Sequence, residues 1–174
     1  MADARLTATF EELAMPLFGQ LYNFAHWLTQ DRNEAEDLVQ ETYVKALRGF
    51  AGFQQGTNFR AWMYRILRNT FLSSRSKSKT GASVAFEEEE EDQIAASMET
   101  PETIFLENAQ REAVQNALAA LPLPFREILL LCDFEEMSYQ EISETLAIPM
   151  GTVMSRLSRA RRALRESLSK KVRR

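Results

Sequence analysis

Apolar residues recur at helical spacing along most of the chain. Phe10, Leu13, Ala14, Leu17, Leu21, Phe24 and Leu28 predict a helical segment from about residue 10 to residue 29, with a kink or break near Pro16. Asp31 and Glu34 read as a capping box for a second helix. That helix carries Ala35, Leu38, Val39, Thr42 and Ala46 on one stripe and should end near Gly49. A loop through Gly52 and Gly56 comes next. The sharpest period in the chain lies beyond it: Phe59, Trp62, Met63, Ile66, Leu67, Thr70 and Phe71 form a continuous amphipathic stripe. The other face of the same helix carries Arg65, Asn69 and Ser73 in one row, with Arg68 and Arg75 nearby.

The period then fails. From about Ser76 to Thr103 the chain is rich in Ser and Lys, then in Glu, with few apolar residues, as in a flexible linker of ~25 residues. The pattern divides the chain into a first domain over 1–78, a linker over 79–104 and a second domain over 105–174. The second half resumes with Leu106, Ala109, Ala113, Ala117 and Leu118, is punctuated by Pro122 and Pro124, and predicts a helix from Pro124 to Phe134. Ser138 with Glu141 marks the start of a short helix that stops around Leu146. A turn around Pro149 leads into a long final helix from Met150. The expected fold class is all-α: two small helical domains joined by a flexible acidic linker.

Short helix, tight turn and longer helix make the helix-turn-helix layout. Ile142, Leu146, Ile148, Val153 and Leu157 supply the apolar contacts that would hold the two helices together, and Ser143 and Ala147 are small where they would approach. A purely structural helical hairpin would share that spacing. The second helix favours DNA, because removing its core positions leaves Thr152, Met154, Ser155, Arg156, Ser158, Arg159 and Arg162. Ser, Thr and Arg reach base edges and phosphates from the major groove.

Charge sharpens this picture. The net charge is −4, yet it is segregated. Thr57 to Lys79 carries Arg60, Arg65, Arg68, Arg75, Lys77 and Lys79 and no acid, and Met150 to Arg174 carries Glu166 alone against its Arg and Lys residues. Between them, Thr80 to Glu107 holds acids, concentrated in Glu87 to Asp92, and no base. Basic clusters of this kind form a footprint for nucleic acid even on an acidic chain; the bland alternative is a set of solvated helix faces. The single Cys132 permits no intrachain disulfide and no cysteine-based zinc site. His26 stands alone on an apolar helix and reads as structural, and Cys132 as a buried thiol. No signal-peptide pattern is present, and no apolar run approaches the ~18 residues of a membrane span, so no membrane insertion is expected. No phosphate loop, metal-ligand spacing or paired-carboxylate pocket pattern is evident, so neither an enzyme nor a cofactor is expected.

Three stretches carry a family resemblance: DRNEAEDLVQETYVKAL from Asp31 to Leu47, FRAWMYRILRN from Phe59 to Asn69, and LPLPFREILLLCDFEEMSYQEISETLAIPMGTVMSRLSRARRALRE from Leu121 to Glu166. In this order and spacing the chain resembles the extracytoplasmic-function (ECF) branch of the sigma-70 family. The resemblance implies a cytoplasmic, non-enzymatic protein that binds core RNA polymerase and directs it to promoters. The first domain would melt and read the minus-ten element; the second would read the minus-thirty-five element as duplex.

The resemblance assigns residues as well. Asp37, Leu38, Gln40 and Glu41 fall in its core-polymerase surface. Phe53, Gln54, Trp62, Arg65, Asn69 and Ser73 fall where the melted minus-ten strand is held, with Asn69 beside a flipped-out base. Thr152, Met154, Ser155, Arg156, Ser158, Arg159 and Arg162 fall on the minus-thirty-five helix. Met154 stands where the family often has Lys or Arg, which puts the element's sequence in question. Arg161, Arg165 and Lys170 would face phosphates. For the acidic run the resemblance suggests a path through the polymerase's RNA exit; the alternatives are a linker that charge simply keeps solvated and extended, and one that folds back on the basic blocks, and an anti-sigma factor is an expected partner. The rival readings are a stand-alone helix-turn-helix regulator and a sigma-like decoy that sequesters an anti-sigma factor.

Overall fold

The computed structural model describes residues 2–80 and 101–172, all of whose regular structure is helical. The linker's acidic run, Glu87 to Asp92, lies outside the described residues.

In the first half, α1 (Ala2–Ala14) passes through a 3₁₀ turn (Met15–Leu17) into α2 (Phe18–Thr29). Pro16 sits in that turn, so the break falls where the proline removes a donor. α2 ends on Gln30 in the left-handed conformation (φ 57°), whose N–H donates to the His26 carbonyl. α3 (Arg32–Gly49) begins at Asp31, whose carboxylate accepts from the Glu34 N–H at 2.9 Å. This is the forward arm of the expected capping box; the Asp31 N–H turns instead to the Thr29 hydroxyl. A 3₁₀ turn (Phe50–Gly52) and a loop lead to α4 (Phe59–Thr80). Leu21, Phe24, Leu38, Val39, Phe50, Met63 and Leu67 fill the core between these helices.

In the second half, α5 (Pro101–Ala120) precedes α6 (Leu123–Leu129). The sequence predicts one helix from Pro124 to Phe134. It in fact starts a residue earlier and widens into a π turn at Leu130–Phe134. The extra residue of a π turn rotates the downstream side chains about the helix axis, and Phe134 comes out more than half exposed. α7 (Tyr139–Leu146) starts with a complete capping box: Ser138 Oγ accepts from the Glu141 N–H, and Glu141 Oε1 accepts from the Ser138 N–H. The turn into α8 (Met150–Val172) pivots on Ala147, at φ 54°. Ala147 is exposed, so its small size answers the left-handed backbone rather than close helix approach. Ser143 does meet the turn, its hydroxyl donating to the Ile148 carbonyl. Ile142, Leu146, Val153, Leu157 and Ala160 are buried between α6, α7 and α8.

Candidate nucleic-acid and partner interfaces

The loop before α4 is built as a wall. Phe53 stacks on Phe50 at 5.9 Å and meets Trp62 at 4.9 Å. Thr57 ties back to the Gln54 carbonyl through both its N–H and its hydroxyl, and Gly56 supplies the positive φ of 87° this tight return requires. Asn58 then caps α4, its Oδ1 accepting from the Ala61 N–H at 3.0 Å. Between loop and helix lies a cleft of about 320 Å³, lined by Phe53, Gln54, Asn58, Trp62 and Arg65, with Glu144 of α7 on its border. Phe53 and Trp62 are each half-buried: they close the core with one face and line the cleft with the rest. Arg65, Asn69 and Ser73 are exposed in a row one turn apart along α4. Aromatic faces, amides and a guanidinium can stack and hydrogen-bond an unpaired base.

On α3, Asp37, Gln40 and Glu41 are exposed. Glu41 pairs with Lys45 at 3.2 Å, an exposed contact that a partner's cation could displace. Leu38, grouped with this face from the sequence, is only 6% exposed and belongs to the core. The helical period rotates it inward beside Ala35 and Val39. Val44 and Leu47 continue the exposed face instead, and are exposed apolar residues that the sequence pattern did not single out. The available signal was the spacing of Val44, four from Gln40 and three from Glu41, and of Leu47, three from Val44.

On α8, the buried stripe Val153, Leu157 and Ala160 turns the other side outward. Met154, Ser155, Ser158, Arg159 and Arg162 are exposed, and Thr152 and Arg156 are half-buried. Arg161 is exposed on the side of α8 nearer α6. Its guanidinium donates to Asp133 at 2.9 Å and reaches the Cys132 sulfur at 3.6 Å, back against the π turn. Cys132 is half-buried rather than buried. Burial, then the Asp133 charge, pushes its thiol up despite Arg161. His26 is exposed and stacks on Tyr22. Among the described residues no cluster of His, Cys, Asp and Glu could hold a metal, and no helix is long and apolar enough to cross a membrane.

Comparison with known proteins places the chain in a family. Residues 13–80 match sigma-70 region 2, and residues 111–164 match sigma-70 region 4. The ECF RNA polymerase sigma factor SigE of Mycolicibacterium smegmatis is 36% identical over 94% of this chain; the chain spans 66% of that protein's length. The RNA polymerase sigma-H factor of Pseudomonas aeruginosa is 33% identical over 87% of this chain and 80% of its own. The chain belongs to the ECF group of sigma-70 factors. Two solved structures support the fold: the sigma factor RpoE in complex with the anti-sigma factor NepR from Bartonella quintana (TM-score 0.74, 28% identity, 92% of this chain and 97% of that one), and CnrH in complex with the cytosolic domain of CnrY (TM-score 0.63, 25% identity, 98% and 99%). The protein is a sigma factor that directs transcription initiation, a task of binding rather than catalysis.

In this sigma factor the two halves are packed together. Arg68 of α4 grips Glu127 of α6 with two hydrogen bonds, Nε–Oε2 at 2.9 Å and Nη2–Oε1 at 3.1 Å. Tyr64 donates to Glu135 Oε2 at 2.6 Å, and Arg60, lying over the Tyr64 ring, donates to the same carboxylate and to the Glu135 carbonyl. The Asn58 amide donates to Glu141 Oε2 at 3.0 Å. Arg126 reaches the Trp27 carbonyl while holding the carbonyls of Leu118, Ala119 and Leu121. Burial, then the Glu135 hydrogen bond, drives the Tyr64 phenol far above its ordinary pKa. None of the pairings between the halves is readable from the sequence, because each joins residues about sixty to a hundred positions apart through unrelated helix faces.

Proposed function

We propose that this sigma factor engages core RNA polymerase through the exposed face of α3 and reads its promoter in two places. Asp37, Gln40 and Glu41 offer two carboxylates and an amide to arginines across an interface, with Val44 and Leu47 adding apolar area beside them. The cleft bordered by Phe53, Gln54, Trp62 and Arg65 takes a base of the melted minus-ten strand, and Asn69 and Ser73 continue its track along α4. The exposed row of α8, from Thr152 to Arg162, enters the major groove at the minus-thirty-five element. Ser155, Arg156, Ser158 and Arg159 face bases, while Arg162, Arg165 and Lys170 meet phosphates. Met154, about half exposed, offers an apolar contact to a thymine methyl.

The domains divide as 1–78 and 105–174, and the work is done in the cytoplasm. The sigma factor RpoE in one of the two similar structures is held by the anti-sigma factor NepR, and an anti-sigma factor is the expected regulator here. The observation that carries the reading is that one chain presents both a base-sized cleft of aromatics and amides and a basic helix-turn-helix. A stand-alone regulator needs only the second. Co-elution of the purified chain with core polymerase at moderate salt, followed by run-off transcription, tests it; a folded chain that fails to co-elute returns the weight to the stand-alone regulator.

A further inference from the structure

We propose that Met150 and Met154 are an oxidation switch on the duplex reader: peroxide converts the two thioethers to sulfoxides, and α8 then loses its hold on the minus-thirty-five element while the fold stays intact. The inference rests on the assignment of α8 to duplex reading and on the apolar contact given there to Met154.

A methionine is oxidised where solvent reaches its sulfur, and the described methionines fall into two groups. Met63 and Met137 are buried, and the Met137 sulfur also receives the Thr145 hydroxyl at 3.9 Å. Met15, Met150 and Met154 are 58%, 41% and 52% exposed. Met15 lies in the turn between α1 and α2, outside the surfaces proposed for DNA. Met150 and Met154 stand four residues apart on α8, so they are neighbours one turn apart on the same side of the helix. Gly151 lies beside them in the first turn. It has no positive φ, and a Cβ added there would meet no atom within 4 Å. Glycine weakens a helix relative to alanine, so nothing within the chain accounts for it. Its effect is to leave the flank of both thioethers open, to a duplex and to a small oxidant alike. Val153, Leu157 and Ala160, which hold α8 in the core, carry no sulfur.

The chemistry balances with one hydrogen peroxide per thioether. A sulfur lone pair attacks one peroxide oxygen, and the O–O bond breaks as the S–O bond forms. The proton on the transferred oxygen passes to the departing one, which leaves as water. Sulfur gives up two electrons and the peroxide takes them. The product is a polar, chiral sulfoxide. Pressed against a thymine methyl, its S–O dipole loses water and gains no donor in return. Methionine sulfoxide reductases reverse the step with a dithiol, which becomes a disulfide while the oxygen leaves as water.

The test uses the full chain in a Cys132→Ser background, so that no thiol competes for the oxidant. The probe is a duplex that this chain selects from a randomised library, beside the same duplex with every thymine replaced by uracil, which deletes only the methyl groups. After hydrogen peroxide, peptide mass mapping should find added oxygen at Met15, Met150 and Met154 and none at Met63 or Met137. Affinity for the thymine duplex should fall roughly fivefold or more, and reductase treatment should restore it. Met150→Leu with Met154→Leu should bind equally before and after peroxide, whatever its starting affinity, whereas Met15→Leu should stay sensitive. A duplex bound beforehand should slow oxygen uptake at Met150 and Met154 but not at Met15, and this protection decides if the double variant does not bind. Unchanged affinity with both sulfurs oxidised overturns the switch, as does a peroxide loss that persists in the double variant or that tracks Met63 or Met137. Equal binding of the thymine and uracil duplexes with the peroxide effect intact removes the thymine contact and keeps the switch. If selection recovers no duplex, the duplex-reading assignment falls and the switch with it.

Discussion

Arg68 and Glu127 form a two-pronged ion pair across the domain junction, with side chains only 18% and 3% exposed. Removing one partner of such a pair usually costs roughly 3–5 kcal/mol, because the other charge stays buried. Here the two partners lie on different halves of the chain, so parting of the halves would let water reach Glu127. Arg68→Ala is therefore expected to cost less than that in a urea unfolding curve, and to show its effect as a longer distance between the halves. The full cost at an unchanged distance would mean that the junction is rigid.

Tyr64 and Tyr43 make the fold sensitive to alkali. Burial raises both phenols, Tyr43 to about 12, with the Glu135 hydrogen bond adding to the shift at Tyr64. A raised folded-state pKa means that the folded chain prefers the protonated phenol. The resulting stability is fully present below the ordinary phenol pKa and is lost as pH rises beyond it. Urea midpoints should fall steadily from about pH 10 to 12. Tyr64→Phe should flatten part of that fall and lower the midpoint at neutral pH. An unaltered alkaline slope in Tyr64→Phe would assign the whole effect elsewhere.

The capping box at the start of α7 gives a sharper stability prediction. Ser138→Ala removes the acceptor for the Glu141 N–H and should cost about 1 kcal/mol, read by urea unfolding. Ser138→Asp should retain most of the stability, since aspartate caps equally well.

At Ala147 the expected sign is the opposite. A left-handed backbone costs a non-glycine residue roughly 1–2 kcal/mol, and part of the gain on changing to glycine is lost to the freer unfolded chain. Ala147→Gly should raise the melting temperature slightly, while Ala147→Val should lower it by several degrees.

For DNA, Arg159→Ala is expected to cost ~1–3 kcal/mol on the cognate minus-thirty-five duplex and to relax preference at one base pair. Arg162→Ala should weaken all duplexes alike and lower the salt slope by about one. Selection from a randomised duplex library separates the two; equal loss of preference in both variants would contradict the division between base and phosphate contacts.

The period of apolar residues made most of the fold legible. Each helix's buried stripe, such as Met63, Leu67 and Phe71 on α4, could be read because core faces repeat at the helical period. The exposed rows came by subtraction, which located Arg65, Asn69 and Ser73 and the outward side of α8. Failures came where a residue's environment is set by something other than its own helix. Leu38 was carried to the surface by its motif neighbours although its spacing from Ala35 places it inside. Tyr64 is completely buried on the stripe of Leu67 and Phe71 and against Phe24, but the partner of its hydroxyl, Glu135, lies in the other half, and no local pattern reports that. The π turn escaped because it inserts one residue into an otherwise regular apolar run.

Glu141 divides its two oxygens between two tasks, Oε1 to the start of its own helix and Oε2 to Asn58 in the other domain. Any replacement there frays α7 and loosens the junction together, so the two traits are genetically inseparable at this position. Glu144 carries no such double duty. Natural variation should therefore be freer at residue 144 than at residue 141, which changes only in concert with Ser138 and Asn58.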